Sequence, residues 1–275
     1  MTRATLTQVL QPCMTDGTAV AGLVVLGWED ALAYTRAAEA VGRPVILQAG
    51  PGCRAHTPLP VLGAMFRSLA DMASVPVVAH LDHGESLELC AEAIACGFTS
   101  VMYDGSALPL AENIARSREI AAMAHAQSVS VEAELGYVGY DGGAQSLGTD
   151  PAEVAQFARE TGVDALAVSV GNSHLMTRPG AVVDMARLRA IAAAAPDLPL
   201  VLHGGSGIAP DVRRILARET TVCKFNIGTE LRQAFGDALR QTLARHPDQF
   251  DRIQILRATI NPMVGAASKV LAGLA

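Results

Sequence analysis

Short apolar runs alternate with amphipathic stretches along the chain. Runs at 20–26, 44–48, 77–81, 100–103, 130–135, 165–170, 200–203 and 222–226 are rich in Val, Leu, Ile and Ala. Nearly continuous apolar character over four to seven residues predicts strands buried on both faces. Between them, helical periodicity predicts helices near 30–41, 59–73, 86–96, 108–125, 151–161, 185–194, 210–218 and 229–245, with a last one near 263–271. Eight strand–helix units in this length predict an α/β fold, a (β/α)8 TIM barrel, as a single domain over 1–275. A doubly wound open sheet is the alternative. Against it, the first strand lacks a Gly-x-Gly-x-x-Gly turn, and polar residues follow many strands, not one switch point.

A barrel places its site at the C-terminal strand ends, so the residues just after each strand are the ones to collect. They are Asp82-His83-Gly84 after the third strand, Asp104-Gly105-Ser106 after the fourth, and Glu132 and Glu134 on the fifth. Asn172-Ser173-His174 follow the sixth, His203-Gly204-Gly205-Ser206-Gly207 the seventh, and Asn226-Ile227-Gly228-Thr229-Glu230 the eighth.

Three histidines at three strand ends, His83, His174 and His203, match the donor set of a catalytic zinc site with one open position. Any one alone is more often a hydrogen-bonded structural residue; the three together on one rim favour a metal. Asp82 beside His83 suits proton transfer, and it also suits the N-cap of the next helix. Both residues reach one site only if the strand has ended by Leu81, because strand neighbours face opposite ways. Glu132 and Glu134 share a face. Glu134, nearer the rim, is the candidate metal or substrate contact, while Glu132 reads equally as a buried structural acid. The glycine-rich turn 204–207 and the segment 226–229 each precede a helix, where backbone N–H groups favour a phosphate.

Composition narrows the partners. The net charge is −6 with no basic cluster, so no nucleic acid is expected. No apolar run reaches the ~18 residues of a membrane span. The start, Met1-Thr2-Arg3-Ala4, lacks the apolar core of a signal peptide. Five cysteines, Cys13, Cys53, Cys90, Cys96 and Cys223, form no Cys-x-x-Cys pair, so reduced thiols and a cytoplasmic setting are expected.

The segments 78–84, 100–106, 131–136, 202–207 and 224–230 resemble class II, metal-dependent ketose-bisphosphate aldolases of the fructose- and tagatose-bisphosphate type. The resemblance covers nearly the whole chain. It implies a zinc-dependent lyase that cleaves a phosphorylated ketose to dihydroxyacetone phosphate and an aldehyde. It further implies zinc on His83, His174 and His203, with Glu134 at a second metal position and Asp82 as the proton-transfer group. Gly204, Gly205, Ser206, Gly207, Asn226, Ile227, Gly228 and Thr229 would hold the phosphate, with Asp104 and Ser106 on the substrate side. A monovalent cation, Na⁺ or K⁺, beside the phosphate and a homodimer or homotetramer also follow from it.

The chain departs from that family in places. The first strand reads Ala21-Gly22-Leu23-Val24, without the family's asparagines, and Val24 stands where an amide is expected. Gly50 stands near an expected hydroxyl, Leu175 follows His174 in place of glycine, and the 257–262 segment is unusual. These changes predict a rebuilt distal pocket that uses fructose-1,6-bisphosphate poorly and prefers another phosphorylated or carboxylated partner; efficient use of fructose-1,6-bisphosphate would mean that Arg178, Arg257 or another group compensates. A phosphorylated deoxy-keto-gluconate is an alternative substrate, and a non-catalytic stabilising subunit is an alternative role.

Overall fold

The computed structural model describes residues 2–275. Eight parallel strands close into a barrel in sequence order, β1 beside β8. They are β1 (Val20–Val24), β2 (Val45–Ala49), β3 (Val77–Gly84), β4 (Ser100–Tyr103), β5 (Ser130–Leu135), β6 (Ala165–Val168), β7 (Leu200–Leu202) and β8 (Val222–Ile227). All eight expected strands are present, and closure rules out the open sheet. Around them run α1 (Leu6–Asp16), α2 (Trp28–Val41), α3 (Pro51–His56), α4 (Leu59–Met72), α5 (Leu87–Ala95), α6 (Leu110–His125), α7 (Pro151–Thr161), α8 (Met185–Ala194), α9 (Pro210–Glu219), α10 (Thr229–Arg245) and α11 (Arg252–Ala272).

Three helical features depart from the periodicity. First, α1 is absent from the sequence-based expectation, because Pro12 interrupts its pattern. Thr5 and Gln8 form a reciprocal capping box, and Gly17 ends the helix in the left-handed conformation. Leu6, Val9, Leu10 and Cys13 of α1 pack on Val20, Ile46, Val78, Ala165 and Val201, closing the N-terminal end of the barrel.

Second, α3 is a six-residue helix started by Pro51. Third, α11 begins eleven residues before the expected start at Met263 and carries Pro262 in its interior, although a proline is better suited to a helix's first turn. It packs against α2 and α10. Among the described residues, no helix is long and apolar enough to cross a membrane.

Candidate active site

The third strand does not end at Leu81. It continues to Gly84, and the pairing with β4 slips by one residue between Leu81 and Gly84. His83 there adopts φ 52°, a left-handed conformation costly for a residue with a Cβ. This bulge lets Asp82 and His83 both reach one cavity, as bulges beside active sites commonly do. Arg54, on the unforeseen α3, clamps it. Its guanidinium donates to the carbonyls of Asp82 (2.5 Å), His83 (2.9 Å) and Ala49 (2.8 Å). Asp82 does not cap α5, since Ser86 accepts from Leu89 N–H in that role.

His83, His174 and His203 come together at the C-terminal rim, with a potential ligand atom of each within 4.8 Å of the others. His83 Nδ1 donates to Asp104 Oδ2 (2.7 Å), leaving Nε2 free. His203 Nε2 lies 3.1 Å from Glu132 Oε1, leaving Nδ1 free. That Nδ1 is buried without a hydrogen bond, as is Glu134 Oε2. The two lie 3.3 Å apart, with an alignment that makes no hydrogen bond between them. Two orphaned buried donors of electron pairs beside two more imidazoles suit a divalent cation such as zinc. Asp104, with His83 and Glu134, forms a second group of the same kind.

His174 lies beyond the sixth strand, in the loop that follows it. Its N–H donates to Gly139 O (2.8 Å), and its carbonyl accepts from Asp141 N–H (3.0 Å). Tyr140 stacks on its ring at 5.0 Å. Asn172, buried, donates to His203 O (3.0 Å) and accepts from Val170 N–H (2.8 Å), joining two ligand-bearing loops. Leu175 adopts φ 60°, so the left-handed backbone that glycine favours is present without the glycine.

Burial and charge set the protonation of this cluster. Burial works against ionisation of Asp82, but His83 and His203 hold it below the usual carboxylate range. Its Oδ1 also accepts from Asn226 Nδ2 (3.2 Å). Burial and the neighbouring His203 push His174 down to about 3. For His203 burial alone would lower the value, yet the Glu132 and Glu134 carboxylates raise it to about 10 in the metal-free protein, so a cation held there displaces the Nδ1 proton. Asp104, whose burial opposes ionisation, is held low by its bond to His83.

The cavity above these groups measures about 280 Å³. Asp82, His83, His174, Gly204, Ser206, Asn226, Gly228 and Thr229 line it. Gly204 needs to be glycine, because its φ is +63° and a Cβ would lie 2.0 Å from Ser173 O. Ser206 Oγ accepts from Glu230 N–H (3.3 Å), tying the turn after β7 to the first turn of α10. Buried Arg213, unmarked in the sequence, donates to the carbonyls of Gly205 and Ile208 and pairs with Glu230.

Several expected positions lie off the cavity wall. Gly205, Gly207 and Ile227 are buried behind it. Asp104 and Ser106 are not among the lining residues; Ser106 Oγ donates to Asp104 Oδ1 (2.6 Å), and Asp104 Oδ2 accepts from His83 Nδ1. Arg257 lines a separate recess with Trp28 and Ile253, and Arg178 is exposed. The cationic side chain on the cavity wall is Arg232, which the sequence reading missed. It lies one helical turn beyond Gly228, and that spacing was the available signal.

A closed β/α barrel with a concave, polar C-terminal rim and perturbed titratable groups defines an enzyme of the TIM-barrel class. The profile described as "Fructose-bisphosphate aldolase class-II" matches residues 4–274. The chain therefore belongs to the class II fructose-bisphosphate aldolase family and is an aldolase, a lyase.

Solved structures agree. The YdjI aldolase from Escherichia coli K12 is 30% identical with a TM-score of 0.86, the match covering 99% of this chain and 97% of that one. A putative fructose-1,6-biphosphate aldolase from Coccidioides immitis is 27% identical with a TM-score of 0.84, covering 98% and 95%. The fructose-bisphosphate aldolase of Campylobacter jejuni shares the fold at 23% identity and a TM-score of 0.80, covering 98% and 93%.

Proposed function

We propose that this chain, acting as one domain, is a zinc-dependent aldolase that reversibly cleaves a phosphorylated ketose or keto-acid into dihydroxyacetone phosphate and an aldehyde. The observation that carries the reading is the convergence of His83, His174 and His203 beside the orphaned Glu134 oxygen, with Asp82 on the same cavity wall. Zinc held there supplies Lewis-acid stabilisation of the negative charge that C–C cleavage leaves on the three-carbon fragment.

Asp82 takes the proton from the substrate's β-hydroxyl in cleavage and returns it in condensation. Its ionised state fits that role, and Asn226 Nδ2 donates to its Oδ1. Ser206, Gly204 and the 226–229 segment hold the phosphate of the three-carbon half near the α10 N-terminus. A Na⁺ or K⁺ ion beside that phosphate, a homodimeric or homotetrameric assembly and a cytoplasmic setting belong to the same reading.

The distal half of the substrate meets Val24, Leu26, Gly50 and Arg232. Arg232 suits an aldehyde with an anionic terminus, carboxylate or phosphate, while the apolar Val24 and Leu26 offer no side-chain hydrogen bond to the hydroxyl beside that terminus in the fructose-1,6-bisphosphate fragment. Condensation of dihydroxyacetone phosphate with a panel of aldehydes tests the reading, run before chelation, after it, and after zinc is restored. Zinc-dependent condensation with an anionic aldehyde is expected. No condensation with any aldehyde at stoichiometric zinc overturns it.

A further inference from the structure

Beneath the rim, the barrel holds a chain of polar side chains that the cleavage chemistry does not use. Ser100 on β4, His80 on β3, Lys224 on β8 and Glu132 on β5 are all fully buried. Lys224 Nζ donates to Glu132 Oε2 (2.5 Å) and lies 3.2 Å from His80 Nε2. His80 Nδ1 is 2.8 Å from Ser100 Oγ, and Glu132 Oε1 is 3.1 Å from His203 Nε2.

The direction of these bonds follows from the inventory of each group. An ammonium only donates, so His80 Nε2 accepts and the His80 proton sits on Nδ1, toward Ser100. A carboxylate ionised beside the ammonium only accepts, so His203 Nε2 carries a proton. His203 Nδ1 is then the nitrogen left to face Glu134 and the other two histidines. A buried ion pair is a poor source of stability, since apolar replacements are often neutral or better. Stability alone therefore gives little reason for Lys224 in the middle of a barrel.

We propose that Lys224 is a positioning residue: by anchoring Glu132 it dictates which nitrogen of His203 is presented to the metal. The inference rests on the reading of His83, His174 and His203 as the metal site. Lys224 touches neither metal nor substrate.

Two measurements test it. The first is the zinc dissociation constant of the wild type and of the Glu132→Gln/Lys224→Met double variant, by competition with a chromophoric chelator. The double variant keeps the shapes and removes both buried charges. Glutamine also brings an amide donor, so nothing compels His203 to hold its proton on Nε2.

Zinc binding is expected to weaken ~10–100-fold, the usual scale for partners one shell out from a metal. The thermal midpoint of the zinc-free protein is expected to stay near that of the wild type, which a purely structural ion pair would not separate from zinc affinity. A dissociation constant within about threefold of wild type overturns the proposal.

The second measurement needs no variant, so it decides the matter if the variant does not fold. Histidine ¹⁵N–¹H correlation spectra of the zinc-loaded wild type are expected to show protons on His80 Nδ1 and His203 Nε2. Either proton on the opposite nitrogen overturns the proposal. If the wild type binds no zinc, the metal reading fails instead, while the His80 tautomer still reports the direction of the chain.

Discussion

The active-site cavity has two unlike walls. One is built from the ends of β3, β7 and β8 and the loop after β6, and it presents Asp82, His83, His174, Ser206 and Asn226. The other comes from the ends of β1 and β2 and the start of α3, and it presents Val24, Leu26, Gly50, Pro51, Gly52 and Cys53. The polar wall is cross-tied from behind. Arg54 holds the β3 bulge, Asp104 holds His83, Asn172 joins two loops, and Arg213 joins the β7 turn to α10.

The second wall, which adjoins the first at Gly50 and Asp82, is made of small and apolar side chains. On β1, a Cβ at Gly22 would lie 1.5 Å from Gln48 Oε1, so Gly22 leaves its space to the glutamine of the next strand. Chemistry that depends on sub-ångström placement sits on the braced side. On the proposed reading, substrate identity is read on the other side, at Val24 and Leu26.

The largest effect is expected at the braced wall. His203→Ala removes one of three imidazoles, and both turnover and bound zinc should be lost. Metal analysis with a cleavage assay checks this, and equimolar zinc with near-normal turnover would show that His203 is no ligand. Asp82→Ala should keep zinc and lower kcat by ~10²-fold or more, the scale of a positioned acid–base group. Because Ser86 caps α5, circular dichroism should show an unchanged fold; unfolding would return Asp82 to a structural role.

The opposite wall should give smaller, substrate-dependent changes. Fructose-1,6-bisphosphate is expected to be cleaved with kcat/KM below ~10⁴ M⁻¹s⁻¹. Val24→Asn should raise that value ~10-fold, since one restored hydrogen bond to a desolvated group contributes ~1–3 kcal/mol. An unmodified enzyme above ~10⁴ M⁻¹s⁻¹ would erase the contrast between the walls.

The smallest change is expected for Arg232→Ala. Condensation with an anionic aldehyde should fall ~2–5-fold in kcat/KM through KM, the scale of an exposed ion pair, while an uncharged aldehyde of similar size is barely affected. Equal losses for both would assign Arg232 to the shared three-carbon half.

What the sequence determined by itself was periodic or local. Eight buried apolar runs and the helices between them are set by patterning, and that pattern is enough for a barrel. Glycines and helix starts after β7 and β8 are set by backbone sterics, and the histidines at the C-terminal end of β3 and after β6 and β7 follow from the rule that strand ends build the rim.

What tertiary structure decided was long-range. No local signal tells that β3 runs on through a bulge, because the partner that clamps it, Arg54, lies 28 residues away from Asp82. Pro12 and Pro262 mask α1 and the first half of α11, where packing on the barrel outweighs intrinsic propensity. Asp104 reaches His83 by a bond across 21 residues, a partner that its place after β4 does not announce. Lys224 and Glu132, 92 residues apart, become one unit only when the sheet closes. Pairings of that kind follow from register and closure, which no window of sequence contains.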